Sequence, residues 1–257
     1  MAKELLIVFV YDSERCKKEE DDPNNAIIYF YPSWVSEQQR LALCGQLMGV
    51  TQFITSAFSP PNIMSLQSGK FAIKTIGHYI LCVGTDRNIP DLVIKTRIDT
   101  LHHLLKFYHK DFDRILELHK NDFTEKVNQI FETYLPVLHF GGNIFGSVSQ
   151  FRLPKSASNV FLEAMQILQC FQEKPDVLGG MLLYQNKVVS SQLNCQMTKQ
   201  LLLTDPYRIK VPAETVCTKF HLPVGVQLLN VYLDKEELLS LAEESQKLNE
   251  ALKCAES

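Results

Sequence analysis

The first residues after the start form an almost unbroken apolar run, Leu5–Tyr11, rich in the branched and aromatic side chains that favour strands. A second such run, Ala26–Tyr31, is stopped by Pro32. Asp12–Asn25 between them is polar, with Lys17, Lys18, Glu19, Glu20, Asp21 and Asp22 in a row, and reads as a solvated loop. Two strands joined in this way predict an antiparallel pair. At Ser36 the period changes. Ser36 with Gln39 three residues on is a capping-box signature, and Leu43, Leu47, Val50 and Ile54 then recur at helical spacing. Leu41, Cys44 and Met48 make a second apolar row beside the first, and periodicity does not decide which row meets the domain's own sheet. Gly45 and Gly49 lie inside this helix, where each is about 1 kcal/mol less favourable than alanine. Their small size would permit a close approach to the domain's own elements or to another chain. The helix is expected to end near Phe58, before Ser59-Pro60-Pro61.

Lys70–Lys74 and His78–Gly84 alternate like strands around a turn at Gly77, and Ile63–Leu66 is a candidate short strand. Pro90-Asp91, with Asp91 as cap, opens a helix on Ile94, Ile98, Leu101, Leu105 and Tyr108. A third helix is predicted from Asp122 to Leu135 on Phe123, Val127, Ile130 and Tyr134, ended by Pro136. The order strand, strand, helix, three strands, helix, helix is that of an α+β sandwich on an antiparallel sheet. Residues 1–138 suffice for one such domain, and the glycine-bearing stretch 139–156 reads as a linker.

Residues 157–257 repeat the theme with a weaker signal. A helix follows Ser158, and a hairpin pairs Met181–Tyr184 with Lys187–Leu193. A short helix near Gln196–Leu203 precedes the loop-rich Thr204–Leu222. A strand is expected at Val226–Leu233, then a last helix capped by Asp234 with Glu237, its face traced by Leu238, Leu241 and Ala242.

Composition then narrows the classes. Apolar residues at 46% and charged residues at 21% describe a folded globular chain, and a net charge of −3 gives no broad basic face for nucleic acid. No apolar run approaches the roughly 20 residues of a membrane span. The seven cysteines are scattered without a CxxC pair, which predicts reduced thiols rather than a zinc or redox site. No nucleophile-elbow, zinc-protease, phosphate-loop or kinase string occurs, and the Gly-Gly-Asn-Ile-Phe-Gly stretch lacks a phosphate loop's lysine. His102, His103 and His109 are read as solvated or rim histidines, and Asp111 and Asp113 would diverge on a helix. Neither an enzyme nor a metal or other cofactor is expected.

One ordered set of strings carries a resemblance. Tyr29-Phe30-Tyr31-Pro32-Ser33 is followed by Gln38-Gln39, Leu43-Cys44-Gly45-Gln46, Gly49-Val50, Ser59-Pro60-Pro61, Lys70–Lys74 and Pro90-Asp91. Gly180, Leu183-Tyr184, Val189-Ser190 and Gln192-Leu193 continue it in the second half. The sequence resembles the longin family of the Ccz-one, Inturned and Hermansky–Pudlak syndrome proteins over most of residues 5–233. That resemblance implies tandem longin/roadblock-like α/β sandwich domains. It also implies a role as a subunit of a Rab guanine nucleotide exchange factor, paired with Hermansky–Pudlak syndrome protein 1, in biogenesis of lysosome-related organelles such as melanosomes. The implied location is cytoplasmic, with recruitment to membranes through partners. Family members run on to a third longin domain, which these residues do not include. The alternative class is an adaptor or tether that binds an active Rab GTPase without exchange. Either way the partner or Rab interface is expected on the Ser36–Phe58 helix, at Gln39, Leu41, Leu43, Cys44, Gln46, Leu47 and Met48.

Overall fold

The structure is a computed structural model and describes residues 5–16, 21–139, 150–172, 177–185, 187–202, 211–212, 227–228 and 230–243. The chain forms two compact units, the first holding Met1–Leu138 with Ile209–Gln227 and the second holding His139–Arg208 with Leu228–Ser257.

The first unit is built on a five-stranded antiparallel sheet. Its strands are β1 (Leu6–Asp12), β2 (Ile27–Tyr31), β3 (Ile63–Ser65), β4 (Lys70–Ile76) and β5 (Tyr79–Thr85), in the spatial order β2-β1-β5-β4-β3. β1 and β2 pair antiparallel as their polar connection implied, with Val8 opposite Tyr31 and Phe9 opposite Phe30. β4 and β5 form a hairpin whose turn uses Gly77 at φ +62°, a backbone region open to glycine without a Cβ penalty. Every residue of β5 is buried, because helices cover both faces of the sheet at its centre.

Strand side chains alternate between two cores. On one face Phe9, Phe30, Phe71, Ile73, Ile80 and Cys82 pack with Cys44, Leu47 and Met48 of helix α1 (Glu37–Ala57). The opposite face carries α2 (Asp91–His109), α3 (Phe112–Leu118) and α4 (Phe123–His139). There Tyr29 stacks on Phe131 with ring centroids 5.0 Å apart, Tyr79 meets Phe112 at 4.9 Å, and Lys74 of β4 pairs with Asp99 of α2 at 2.7 Å.

The cleanest sequence period, Ile94, Ile98, Leu101, Leu105 and Tyr108, is buried as expected. Three local details differ. Asp91 is not the cap of α2: Pro90 occupies that position without a side-chain bond, and the Asp91 carboxylate instead receives Lys70 Nζ at 2.5 Å. α3 escaped the sequence reading because seven residues leave less than two helical turns of period. Asp111 caps it by accepting from the Arg114 N–H at 2.7 Å, while Asp113 points to the His78 ring, so the two carboxylates do part. Pro136 lies inside α4 rather than ending it, because Leu135 and Leu138 continue the buried face.

In the second unit α5 (Ser158–Gln172) packs on a hairpin of β6 (Met181–Tyr184) and β7 (Lys187–Ser191), with Ala164 and Leu168 facing inward. Gln150 bridges parallel to Val188, and the Phe151 N–H donates to the Val188 carbonyl at 2.8 Å. α6 (Cys195–Leu202) follows, its first turn capped by Asn194 Oδ1 accepting from the Met197 N–H at 2.8 Å. Strands β8 (Val211–Pro212) and β9 (Gln227–Leu228) pair with each other in a separate two-stranded sheet, and Val211–Pro212 and Gln227 are grouped with the first unit. The expected strand Val226–Leu233 is therefore cut short, since residues 230–233 are not strand. The rest of the expected loop-rich segment and residues 140–149 of the expected linker lie outside the described residues. Helix α7, residues 235–243, begins where Asp234 was placed as its start, with the Asp234 N–H donating to Glu237 Oε2 at 2.8 Å. Leu241 is buried on it and Leu238 is exposed.

Candidate partner interface

Helix α1 begins on a complete capping box. Ser36 Oγ accepts from the Gln39 N–H and the Gln39 side chain accepts from the Ser36 N–H, satisfying two end-of-helix donors. Arg40 braces the segment before it. Its Nε donates to the Val35 carbonyl at 2.8 Å and its Nη2 to the Ser33 carbonyl at 2.5 Å, with the guanidinium over the Phe30 ring. This holds the β2–α1 loop, from which Trp34 projects 80% exposed.

The inward side of α1 takes residues from both sequence rows. Cys44, Leu47, Met48 and Thr51 are buried, and Leu43 and Ile54 pack at the border. Cys44, Leu47 and Met48 are thus corrected from interface residues to core residues, because they fall within one turn-to-turn stripe over the sheet. Burial pushes the Cys44 thiol up to about 12, so it stays protonated and unreactive near neutral pH. Of the other expected residues, Gln39 and Gln46 are exposed, and Leu41 and Leu43 are half-buried.

At 100° per residue the outward ridge is Gln39, Ala42, Gln46, Gly49, Val50 and Phe53, with Gly45 beside it. Val50 is 37% and Phe53 73% exposed, and Phe58 just past the helix is 77% exposed. A Cβ added at Gly45 or Gly49 would meet nothing within 4 Å, so neither glycine is explained by packing inside the domain. No charged residue occurs from Leu41 to Gly69. A solvated helix face ordinarily carries charges, and a charge-free ridge of small, apolar and amide side chains is the character of an interface centre. Trp34, Phe53 and Phe58 lie outside the two apolar rows, and Val50, in the first row, was not placed at the interface. The signals that find them are the missing charges and the position of the chain's single tryptophan before the helix cap.

The second unit exposes apolar surface on α5, at Phe161, Leu162, Met165, Ile167 and Phe171. An open groove of about 870 Å³ runs beside Phe151, Phe161, Met165, Val188 and Thr198. Its lining contains no acidic, basic or histidine side chain, so it offers no acid–base pair. Among the described residues no group of three His, Cys, Asp or Glu is placed to hold a metal, and no helix is long and apolar enough to cross a membrane. On α2, His103 is exposed and His102 and His109 are half-buried. Burial, together with nearby Lys74, lowers His102 to about 4.

The five-stranded antiparallel sheet with α1 on one face and α2 on the other, within residues 5–110, is a longin domain. Residues 5–110 match the family described as the first longin domain of INTU, CCZ1 and HPS4, and the domain belongs to that family. Over that region and beyond it, the chain is 31% identical over 245 residues to the BLOC-3 complex member HPS4 of Mus musculus. The match covers 91% of this chain and 36% of that protein, so the chain spans about a third of its curated relative.

Proposed function

We propose that this chain is a non-enzymatic subunit of a heterodimeric Rab guanine nucleotide exchange factor, the BLOC-3 type, with Hermansky–Pudlak syndrome protein 1 as its partner. It would act on the cytoplasmic side of lysosome-related organelles. The observation that carries the reading is the outward ridge of α1: Ala42, Gly45, Gly49, Val50 and Phe53 form an uncharged, exposed strip on a longin domain. The likeness to a BLOC-3 complex member supplies the kind of assembly. The exposed apolar side of α5 gives the second unit a corresponding surface for the partner's second domain.

Exchange needs no covalent chemistry. A factor accelerates nucleotide release by binding the opened GTPase better than the closed, nucleotide-filled one, and nucleotide in turn weakens the factor's grip. A 10⁴-fold acceleration corresponds to about 5.4 kcal/mol off the release barrier. A well-packed contact of about 1,600 Å² with a few anchoring aromatics has that capacity. In the heterodimer the role of this chain is to build the platform, with Phe53 as anchor and the two glycines admitting a close neighbour.

The test is co-expression with the partner, size-exclusion chromatography, and release of fluorescent GDP from a panel of organelle Rab proteins. The complex is expected to co-elute and to accelerate release, whereas F53D keeps its far-UV spectrum and loses co-elution. A well-behaved monomer that ignores the partner would overturn the proposal.

A further inference from the structure

We infer that Ser59 is a phosphate-accepting site for a proline-directed kinase, and that the phosphate loosens the last turn of α1, disabling the interface proposed above. The regulatory half of this inference rests on that interface reading; the modification itself does not.

Ser59 follows Phe58, the C-cap of α1, and precedes Pro60-Pro61. Ser59, Pro60 and their neighbours from Gln52 to Pro60 include only Ile54 that is not exposed. Ser56, one turn earlier, already donates its hydroxyl to the Phe53 carbonyl at 2.8 Å, whereas Ser59 Oγ has no hydrogen bond among the described residues. Phe58 is out of the helical region, at φ −142° and ψ −166°, so Ser59 stands on a bend beyond the helix rather than inside its hydrogen-bonded turns. The Ser59–Pro60 bond is trans, and the Pro60 ring presents an apolar surface with no N–H to satisfy in an apolar +1 pocket. A hydroxyl that is exposed, unbonded, outside the helix and followed by proline combines the requirements of such an enzyme.

In the transfer step Ser59 Oγ attacks the γ-phosphorus of Mg-ATP. The bond from that phosphorus to the β–γ bridging oxygen breaks, ADP leaves, and the hydroxyl proton passes to the kinase's base. The product carries a charge of roughly −1.5 to −2.

That charge would stand in a stretch of chain that carries none of its own. No charged residue lies between Leu41 and Gly69, and the next cation, Lys70, is already held by Asp91 at 2.5 Å and the Ile89 carbonyl at 2.9 Å. The neighbouring helix end presents the carbonyls of the last turn, the negative pole of the helix, held by the Phe58 N–H to the Ile54 carbonyl at 2.7 Å. A dianion beside that pole opposes the turn, and beside Phe53 and Phe58 it puts charge at the rim of the apolar ridge.

The experiment treats the intact chain with a mitogen-activated-class kinase and Mg-ATP, then maps phosphate by mass spectrometry and follows amide hydrogen exchange. Phosphate is expected on Ser59 and absent in S59A and P60A. Exchange at Phe58 is expected to quicken at least threefold in the phosphorylated chain. No phosphate at Ser59 under conditions that modify a control Ser-Pro peptide overturns the site. Phosphate with unchanged exchange overturns the loosening. In the binding arm, the unmodified chain is expected to hold Hermansky–Pudlak syndrome protein 1 at least tenfold more tightly than the phosphorylated chain. Equal binding overturns the regulatory half. An unmodified chain that does not bind overturns the interface reading, while the mapping and exchange results still decide the site and the loosening.

Discussion

Lys74 Nζ on β4 donates to Asp99 Oδ1 on α2 at 2.7 Å, and one helical turn further along α2 stands His102. The pair ties the central hairpin to its covering helix and leaves an ammonium beside a half-buried imidazole. Burial first, then the charge of Lys74, hold His102 at about 4 rather than its ordinary 6.5. As pH falls through 6.5 the unfolded chain takes up a proton that the folded chain refuses until about 4. The stability contribution of neutral His102 is therefore complete above pH 6.5 and declines between 6.5 and 4. Urea titrations at neutral pH and near pH 5 should show a loss on the order of 1 kcal/mol attributable to this residue after allowing for solvent screening. H102Q should flatten that part of the profile; an unchanged profile would remove His102 as its cause.

Phe131 is fully buried between Tyr29 of β2, at 5.0 Å, and Phe112 of α3, at 6.3 Å. From α4 it joins the neighbouring α3 to β2, a strand far earlier in the sequence. F131A should destabilise the first unit by about 3–5 kcal/mol, the loss of transfer energy plus a cavity. Denaturant melts with a matched m-value check this, and a loss under 1 kcal/mol would contradict the packing described.

Gly84 has the opposite problem. A Cβ there would lie 2.5 Å from the Phe71 ring and 3.3 Å from Ile7 Cβ. Phe71 is wholly buried and has no room to withdraw. G84A is expected to lower stability by about 1–3 kcal/mol through overpacking, measurable as a drop in Tm, and an unchanged Tm would mean that the ring can move.

Gly45 and Gly49 should respond in the reverse sense. Because open space surrounds both, G45A and G49A should each raise the stability of the isolated chain by about 0.5–1 kcal/mol, the gain in helix propensity. If the ridge is a close-packed interface, the same changes should weaken the partner complex. Greater stability with undiminished binding, read by thermal melts and pull-down, would show that the glycines serve no contact.

S36A removes an oxygen that accepts the Gln39 N–H. Loss of the cap is expected to lower stability by about 1 kcal/mol, with S36D recovering most of it; no difference between the two would mean that the box adds nothing.

Much of the first unit was legible because its elements are strongly periodic. α2 runs long enough for Ile94, Ile98, Leu101, Leu105 and Tyr108 to establish a phase, and all are buried. α1 was legible as a helix but ambiguous in orientation. Its apolar residues spread too widely for period to rank Leu43 against Cys44, and only the sheet's shape selected Cys44, Leu47, Met48 and Thr51. For the same reason the helix was found but three of its named interface residues were not available. α3 is too short to show a period. Pro136 misled because a proline's local penalty was weighed without the packing that Leu135 and Leu138 supply beyond it. In the second unit few residues are deeply buried, so the inside–outside alternation that marks strands and helices is faint.

The brace at Arg40 has a further consequence. Two backbone carbonyls and an aromatic ring immobilise the loop on which Trp34 is displayed. A ligand that seats on this indole meets a shape already set, so little freedom is surrendered at the encounter. Replacing Arg40 by alanine would leave the tryptophan chemically intact yet dilute its useful poses among many. Grip would weaken at a residue that a partner need never touch.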